Sequence, residues 1–90
     1  MKNNFDLVTI IIPSYNHELY IENCLNSISV DNYTNLQVDI IDDGSTDSSV
    51  ERIRNWQQNN PKINLRLEVQ ENKGLNYTLN KLIKNANGEY

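Results

Sequence analysis

Cysteine, glycine, proline and positive charge are all scarce in this sequence. Its 90 residues include one cysteine, three glycines and two prolines, and 12 acidic side chains against 8 basic ones give a formal net charge of -4. The single cysteine, Cys24, excludes an internal disulfide and a cysteine-based zinc cluster, and it suits a reducing compartment. The acidic balance argues against nucleic acid or an anionic membrane as a partner, because both require a basic surface.

Long hydrophobic runs are also missing. The longest covers residues 7–12 and already includes Thr9, whereas a membrane-spanning helix needs about 20 apolar residues. No hydrophobic region of the length of a secretory signal precedes Pro13. We therefore expect a cytoplasmic protein, associated with a membrane only through downstream segments.

Three segments have the pattern of β-strands. Residues 7–12 and 36–41 are rich in β-branched side chains and almost continuously apolar, which predicts strands covered on both faces, the first of them ended by Pro13. Residues 63–70 alternate, which predicts an edge strand with one wet face. Asp39 is an exception within the second strand. A buried carboxylate needs a partner, so either Asp39 has one or that face of the sheet is partly open.

Three further segments have the periodicity of amphipathic helices. We predict the first helix over about residues 17–29 with Asn16 as its N-cap, the second after a turn at Gly44 and ending before Pro61, and the third after Gly74. The side chains expected to face the core are Ile21, Cys24, Leu25, Ile28, Val50, Ile53, Trp56 or Gln57, Leu75, Leu79, Leu82, Ile83 and Ala86.

The order βαβαβα predicts a Rossmann-like three-layer α/β sandwich, with a parallel sheet, helices on both faces and the first strand central. The third helix is expected to stop at residues 87–88, and residues 89–90 stand where a fourth strand would start beside the first. Residues 1–90 therefore look like an incomplete domain. Without a fourth strand, the first strand has an open apolar edge through which two copies could form a homodimer.

Three polar turns, at residues 13–16, 42–45 and 71–74, follow the three strands. All lie at the carboxyl end of the sheet, where open α/β sheets bind ligands. Neither a dinucleotide-binding G-x-G-x-x-G nor a P-loop is present. An acidic rim can still bind a nucleotide when a carboxylate accepts a base N–H and a divalent cation bridges carboxylates to the diphosphate. Tyr15 offers a ring on which a base could stack.

Four short segments on this pattern resemble motifs of the family 2 inverting glycosyltransferases of the GT-A fold. They are VTIIIPSYN at residues 8–16, DDGSTD at 42–47, NKGL at 72–75 and ANGEY at 86–90. The resemblance implies an enzyme that transfers a sugar, with inversion, from a nucleotide-sugar donor such as a UDP-sugar to a glycan or lipid-linked acceptor, in surface polysaccharide or cell-envelope glycan synthesis. Residues 1–90 would supply the N-terminal, nucleotide-binding half of the domain.

The resemblance also implies roles for particular residues. Pro13 and Tyr15 would border the nucleobase and the ribose, Asp43 would accept the base N–H, and Asp42 would shape the turn or face the ribose. Residues 72–74 would close the other side of the base. The nucleotide-binding residues predicted in this way are Pro13, Tyr15, Asn16, Asp42, Asp43, Asn72, Lys73 and Gly74.

The resemblance places the remaining chemistry outside these residues. In the family, a D-x-D motif holds Mn²⁺ or Mg²⁺ against the donor diphosphate, and a base further along the chain deprotonates the acceptor. We therefore expect the full-length protein to use a divalent cation, and residues 1–90 alone to bind no metal and to be inactive.

Other readings of the same residues stay open. The DDGSTD segment by itself suits a turn and a helix N-cap, and Asn72 could equally cap the third helix. The alternative function is a non-enzymatic α/β module that binds a nucleotide or has a regulatory role. A regulatory module of the receiver type would have an acidic pair after its first strand, where this sequence has residues 13–15. A sugar nucleotidyltransferase would have a glycine-rich basic loop there. His17 is expected to be solvated, and Trp56 to cover the core.

Overall fold

The computed structural model describes residues 8–29 and 36–86. Strands and helices alternate as predicted. The elements are β1 (Val8–Ser14), α1 (Ile21–Ser29), β2 (Leu36–Asp43), α2 (Ser49–Asn59), β3 (Asn64–Gln70) and α3 (Leu75–Ala86). Residues 87–90, with the predicted stop of the third helix and start of a fourth strand, lie outside the described residues. None of the helices within the described ranges is long and apolar enough to cross a membrane.

The three strands form one parallel sheet in the order β1-β2-β3. The predicted edge position of β3 is confirmed. In the described sheet β2 lies in the middle and β1 at the other edge, and the predicted central position of β1 depends on a fourth strand that falls outside the described residues. The register pairs Ser14 with Asp42 and Asp43 with Gln70. The polar residues at the three strand ends are therefore direct neighbours.

Two strands extend further than predicted. Pro13 does not end β1, which continues to Ser14, with Pro13 in register with Ile41. A proline is tolerated at an edge strand, because its missing N–H can face away from the single partner strand. β2 likewise extends to Asp43, so the two aspartates belong to the rigid strand and not to the turn.

One face of the sheet packs against α1 and α2. The buried cluster consists of Ile21, Leu25, Ile28, Leu36, Val38, Ile40, Ile53, Trp56 and Leu65. Burying an aliphatic side chain of this size contributes about 1.5–3 kcal/mol. Trp56 also donates its indole N–H to Asn26 Oδ1 at 2.7 Å, which joins α2 to α1. The prediction that Trp56 covers the core is confirmed.

α1 differs from its prediction in two ways. Cys24 is exposed, because the buried stripe of the helix consists of Ile21, Leu25 and Ile28 and Cys24 lies at its flank. Asn16 is not the N-cap, since α1 begins at Ile21. It has a left-handed backbone, with φ 53°, and its side-chain Oδ1 instead accepts a hydrogen bond from the Thr46 N–H in the loop after β2.

α3 covers the opposite face of the sheet through Thr78 and Leu82, which are both buried. The predicted burial of Leu75 and Ile83 is wrong, because both are exposed. The helix is rotated so that its polar flank meets β3, where Lys81 pairs with Glu68 and Thr78 accepts a hydrogen bond from Gln70. Helices thus lie on both faces of the sheet, and the predicted three-layer α/β class is confirmed.

Asp39 has partners and is not on an open face. It is 3% exposed, and its Oδ1 accepts a hydrogen bond from Gln37 Nε2 at 2.8 Å and lies 3.6 Å from Arg66 Nε. Its Oδ2 is buried without a hydrogen bond. A half-satisfied carboxylate of this kind costs stability compared with a fully paired one.

Candidate functional site

Asp43 is the central polar group at the carboxyl end of the sheet. Only 5% of it is exposed, and three donors converge on its carboxylate. Oδ1 accepts from Gln70 Nε2 at 2.9 Å and from the Lys73 N–H at 2.7 Å, and Oδ2 accepts from the Gly74 N–H at 2.9 Å. The register of β2 and β3 supplies the first donor, and the loop before α3 supplies the other two.

These donors hold the pKa of Asp43 below its ordinary value. The Gln70 amide contributes most, burial opposes it, and the N–H groups of Lys73 and Gly74 add to the lowering. Each donor bonds better to the ionised carboxylate than to the neutral acid. Asp43 is therefore an anion at neutral pH and can act only as a hydrogen-bond acceptor.

Asp42 has a different position from its neighbour. It is completely buried, and its Oδ1 accepts from Ser14 Oγ at 3.0 Å and Ser45 Oγ at 2.7 Å, while Oδ2 accepts from the Ser45 N–H at 2.8 Å. These bonds join the end of β1 to the turn after β2. Of the two roles that the resemblance implied for Asp42, shaping the turn matches this geometry.

The loop after β1 is fastened to the segment after β2 by three consecutive backbone N–H groups. Asn16 donates to Ser45 Oγ at 2.8 Å, His17 to Ser49 Oγ at 2.8 Å and Glu18 to Asp47 Oδ2 at 3.2 Å. Bonds also run in the other direction, because the Thr46 N–H donates to Asn16 Oδ1 at 2.9 Å and the Ser48 N–H to Glu18 Oε1 at 2.8 Å. The Ser, Thr and Asp residues of the DDGSTD segment thus hold the neighbouring loop.

Asp47 accepts three hydrogen bonds in this network. Burial would raise its pKa, but the Ser49 hydroxyl and N–H and the Glu18 N–H outweigh that effect and hold the pKa below its ordinary value. The Ser49 hydroxyl lies 2.6 Å from Asp47 Oδ1. Ionised Asp47 therefore stabilises the fold of both loops.

Gly44 allows the third loop to approach. Its φ is +77°, and a Cβ at this position would lie 2.8 Å from the backbone nitrogen of Asn72. Asn72 in turn donates its side-chain N–H to the Asp43 carbonyl at 3.1 Å. Asn72 therefore braces the loop, and the alternative that it caps α3 is wrong. The helix begins instead after Gly74, whose carbonyl accepts the Thr78 N–H.

A cavity of about 340 Å³ lies between these three loops. Its floor is formed by buried Asp43, Ser14 and Thr78, and its mouth by exposed side chains that include Tyr15 and His17. The complete lining is Pro13, Ser14, Tyr15, His17, Asp43, Asn72, Gly74, Leu75 and Thr78.

Most of the predicted site residues meet at this cavity. Pro13, Tyr15, Asp43, Asn72 and Gly74 line it, whereas Asn16, Asp42 and Lys73 surround it and act through the loop contacts described above. The sequence reasoning missed Ser14, His17, Gln70, Leu75 and Thr78 as site residues. Gln70 could have been found, because the last residues of adjacent parallel strands are neighbours at the same edge of a sheet.

The described residues do not form a metal site. No group of three His, Cys, Asp or Glu side chains within them is close enough to hold a cation. The carboxylates of Asp42 and Asp43 each already accept three hydrogen bonds.

Comparison with known proteins shows the family to which the chain belongs. The model of the family described as glycosyl transferase family 2 matches residues 9–90. The chain belongs to this family, and the resemblance noted in the sequence is confirmed.

Particular relatives cover nearly the whole chain. It is 39% identical over 85 residues to the glycosyltransferase GlyA of Streptococcus pneumoniae, covering 94% of this chain and 12% of the relative. It is 37% identical over 84 residues to a chondroitin synthase of Escherichia coli, covering 93% and 12%. The structure resembles the mannosyltransferase PcManGT of Pyrobaculum calidifontis, solved in complex with GDP-Man and Mn²⁺, with a TM-score of 0.80, 28% identity and coverage of 93% of this chain and 28% of that one. The chain thus spans only a fraction of the length of each.

Proposed function

We propose that this chain binds the nucleotide of a UDP-sugar donor as part of a glycosyltransferase. The observation that carries this proposal is the geometry of Asp43, a buried and ionised carboxylate on the floor of a cavity with the ring of Tyr15 at its mouth. A base can accordingly donate to the carboxylate while its face stacks on the tyrosine.

The hydrogen bonds already made by Asp43 favour one base. An ionised carboxylate only accepts, so it suits the ring N–H of uracil or guanine, whereas cytosine and adenine can offer it only their exocyclic amino group. Oδ1 already has two donors and Oδ2 has one. Because the Thr78 side chain also acts on this carboxylate, little accepting capacity is left, which suits the single N3–H of uracil better than the adjacent N1–H and amino group of guanine.

For the whole protein, we propose inverting transfer of the donor sugar to a glycan or lipid-linked acceptor in the cytoplasm, in the synthesis of a surface polysaccharide or cell-envelope glycan. The similarity to a chondroitin synthase supports a polysaccharide product. The structural similarity to a mannosyltransferase in complex with GDP-Man and Mn²⁺ supports a nucleotide-sugar donor and a divalent cation. The metal ligands and the base for the acceptor are expected outside the described residues.

The proposal is tested by titrating ¹⁵N-labelled protein with UDP, GDP and CDP and following the amide resonances of Lys73 and Gly74. We expect UDP to bind most tightly. Asp43→Asn should weaken UDP binding roughly tenfold or more, because it removes a charge-assisted hydrogen bond. Tyr15→Ala leaves the Asp43 network intact and should remove a stacking contact of about 1–3 kcal/mol.

Tyr77→Ala is the matched control. Tyr77 is 49% exposed and Tyr15 is 45% exposed, but Tyr77 does not line the cavity, so its removal should leave UDP affinity unchanged. Resonances that stay unmoved by millimolar UDP in a folded sample would contradict the proposed site. Tighter binding of GDP would contradict the choice of uracil, and a response to acetyl phosphate alone would favour a receiver-type module.

A further inference from the structure

The cavity has room for only part of a nucleotide-sugar. Its volume of about 340 Å³ is at the lower end of the roughly 300–1,000 Å³ that ligand pockets span. On the proposed function, on which this inference rests, the base lies on the floor near Asp43. The diphosphate must then pass the exposed residues at the mouth, among them Tyr15 and His17.

Hydrogen bonds fix the backbone of His17 at this mouth, whereas its imidazole ring has no hydrogen-bond partner among the described residues. Its backbone N–H donates to Ser49 Oγ at 2.8 Å, and the N–H groups on either side are fastened to Ser45 and Asp47. The imidazole itself makes no hydrogen bond or ion pair with any residue in the ranges that the structure describes. Both ring nitrogens are consequently available to a ligand.

The charges around the cavity make this histidine distinctive. The charged residues of the three surrounding loops and the strand ends before them are Glu18, Asp42, Asp43, Asp47, Glu71 and Lys73. Asp42 is completely buried and bonded to Ser14 and Ser45. Glu18 and Asp47 are engaged with backbone N–H groups of the opposite loop, Glu71 and Lys73 are exposed and outside the lining, and Asp43 is an anion on the floor. Among the lining residues His17 alone can carry a positive charge, whereas Asp43 is an anion and repels a phosphate.

We propose that His17 binds the diphosphate of the donor, donating a ring N–H to a phosphate oxygen and adding a positive charge to that contact when it is protonated. Histidine changes its charge between about pH 5 and pH 8, and the protonated ring has two donors. The donor should accordingly bind more tightly at the acidic end of this range. His17 is a positioning and affinity residue in this proposal, with no part in bond breaking.

The test compares uridine with UDP-glucose at about pH 5.5 and about pH 8, in buffer with EDTA so that no cation bridges the phosphates. The diphosphate of UDP-glucose is esterified at both ends and keeps its charge throughout this range, so a change in its affinity reports on the protein. We expect the wild type to bind UDP-glucose several-fold to tenfold more tightly at the lower pH, and uridine equally at both.

Two variants separate charge from structure. His17→Gln should bind UDP-glucose weakly at both pH values, and His17→Lys, whose charge is constant, should bind it tightly at both. Uridine should bind both variants like the wild type, which verifies that the floor of the cavity is intact. The inference is overturned if the wild type shows no pH dependence for UDP-glucose or if His17→Gln retains it. If neither uridine nor UDP-glucose binds the wild type, the proposed function itself fails.

Discussion

Two adjacent aspartates in this site have separate tasks, and the alternation of a β-strand explains why. Side chains of consecutive strand residues point to opposite faces of the sheet. Asp42 therefore bonds to Ser14 and Ser45, and Asp43 to Gln70 and the N–H groups before α3. Asp42 joins the end of β1 to the turn after β2, whereas Asp43 faces the cavity and can accept a further hydrogen bond.

Gly44 and Gly74 allow a matched test of how closely the loops must approach. Both have positive φ, but a Cβ on Gly44 would meet the Asn72 backbone nitrogen at 2.8 Å, whereas nothing lies within 4 Å of a Cβ on Gly74. Gly74→Ala should cost only the backbone strain, about 1–2 kcal/mol. Gly44→Ala should cost more, since it also displaces the loop that supplies donors to Asp43.

Urea unfolding monitored by circular dichroism measures both losses, and the amide shifts of Lys73 report the displacement of the loop. Equal losses of stability in the two variants would contradict the close contact between Gly44 and Asn72. A Lys73 resonance that shifts in Gly74→Ala but not in Gly44→Ala would contradict it as well.

At the scale of the elements, hydrophobic periodicity predicted the order and type of all six, because strand and helix patterns differ strongly in period. Periodicity was less accurate in predicting which face of each helix is buried. Cys24, Leu75 and Ile83 fit an apolar stripe, yet they are exposed. α3 packs on β1 and β2 with Thr78 and Leu82 as its buried residues, and a one-dimensional pattern of apolar residues carries no information about the strands that a helix will meet.

The candidate site was predictable to the extent that it follows from strand ends. The strand ends predicted the polar turns that contain Tyr15 and Asp43, because parallel strands bring their carboxyl ends to one edge, and the family resemblance selected these two residues within the turns. His17 was not predicted, since its position depends on the left-handed backbone of Asn16 and on bonds to Ser45 and Ser49 in another segment. The sequence around a single histidine does not show which distant residues will hydrogen-bond to the backbone of its loop.

The network that joins the first two loops should make the stability of the fold depend on pH through Asp47. Because its pKa in the folded protein is below the ordinary value of 3.8, ionised Asp47 stabilises the fold above that pH, and the stabilisation is lost as the pH falls through the folded value. Asp47→Asn should lower the urea midpoint of unfolding by a constant amount from about pH 7 to about pH 5.

Below pH 3.8 the two midpoints should converge, because protonated Asp47 has lost the same advantage that the variant lacks. Urea titrations at several pH values measure this difference. A difference that keeps its full size down to about pH 2 would show that the contribution of Asp47 is packing or geometry and not the charge of its carboxylate.

For the molecule as a whole, the feature with the largest consequence is the outer edge of β1. Its residues from Val8 to Pro13 are half-buried, and β2 is the only strand paired with it in the described sheet. Unpaired apolar edges promote pairing with another chain. The homodimer predicted from the sequence stays a prediction, and this edge is the surface that it would use.

We expect the protein to associate with increasing concentration, and a lysine on the β1 edge to suppress this, because a charged edge residue opposes strand pairing. Thr9→Lys places that charge on β1, where the half-buried Thr9 leaves a long side chain a path to solvent. Gln58→Lys, on the exposed part of α2, changes the net charge equally and should associate like the wild type. Sedimentation velocity over a wide range of concentrations distinguishes the three proteins. A wild type that stays monomeric throughout, or two variants that behave alike, would mean that the β1 edge is not where copies meet.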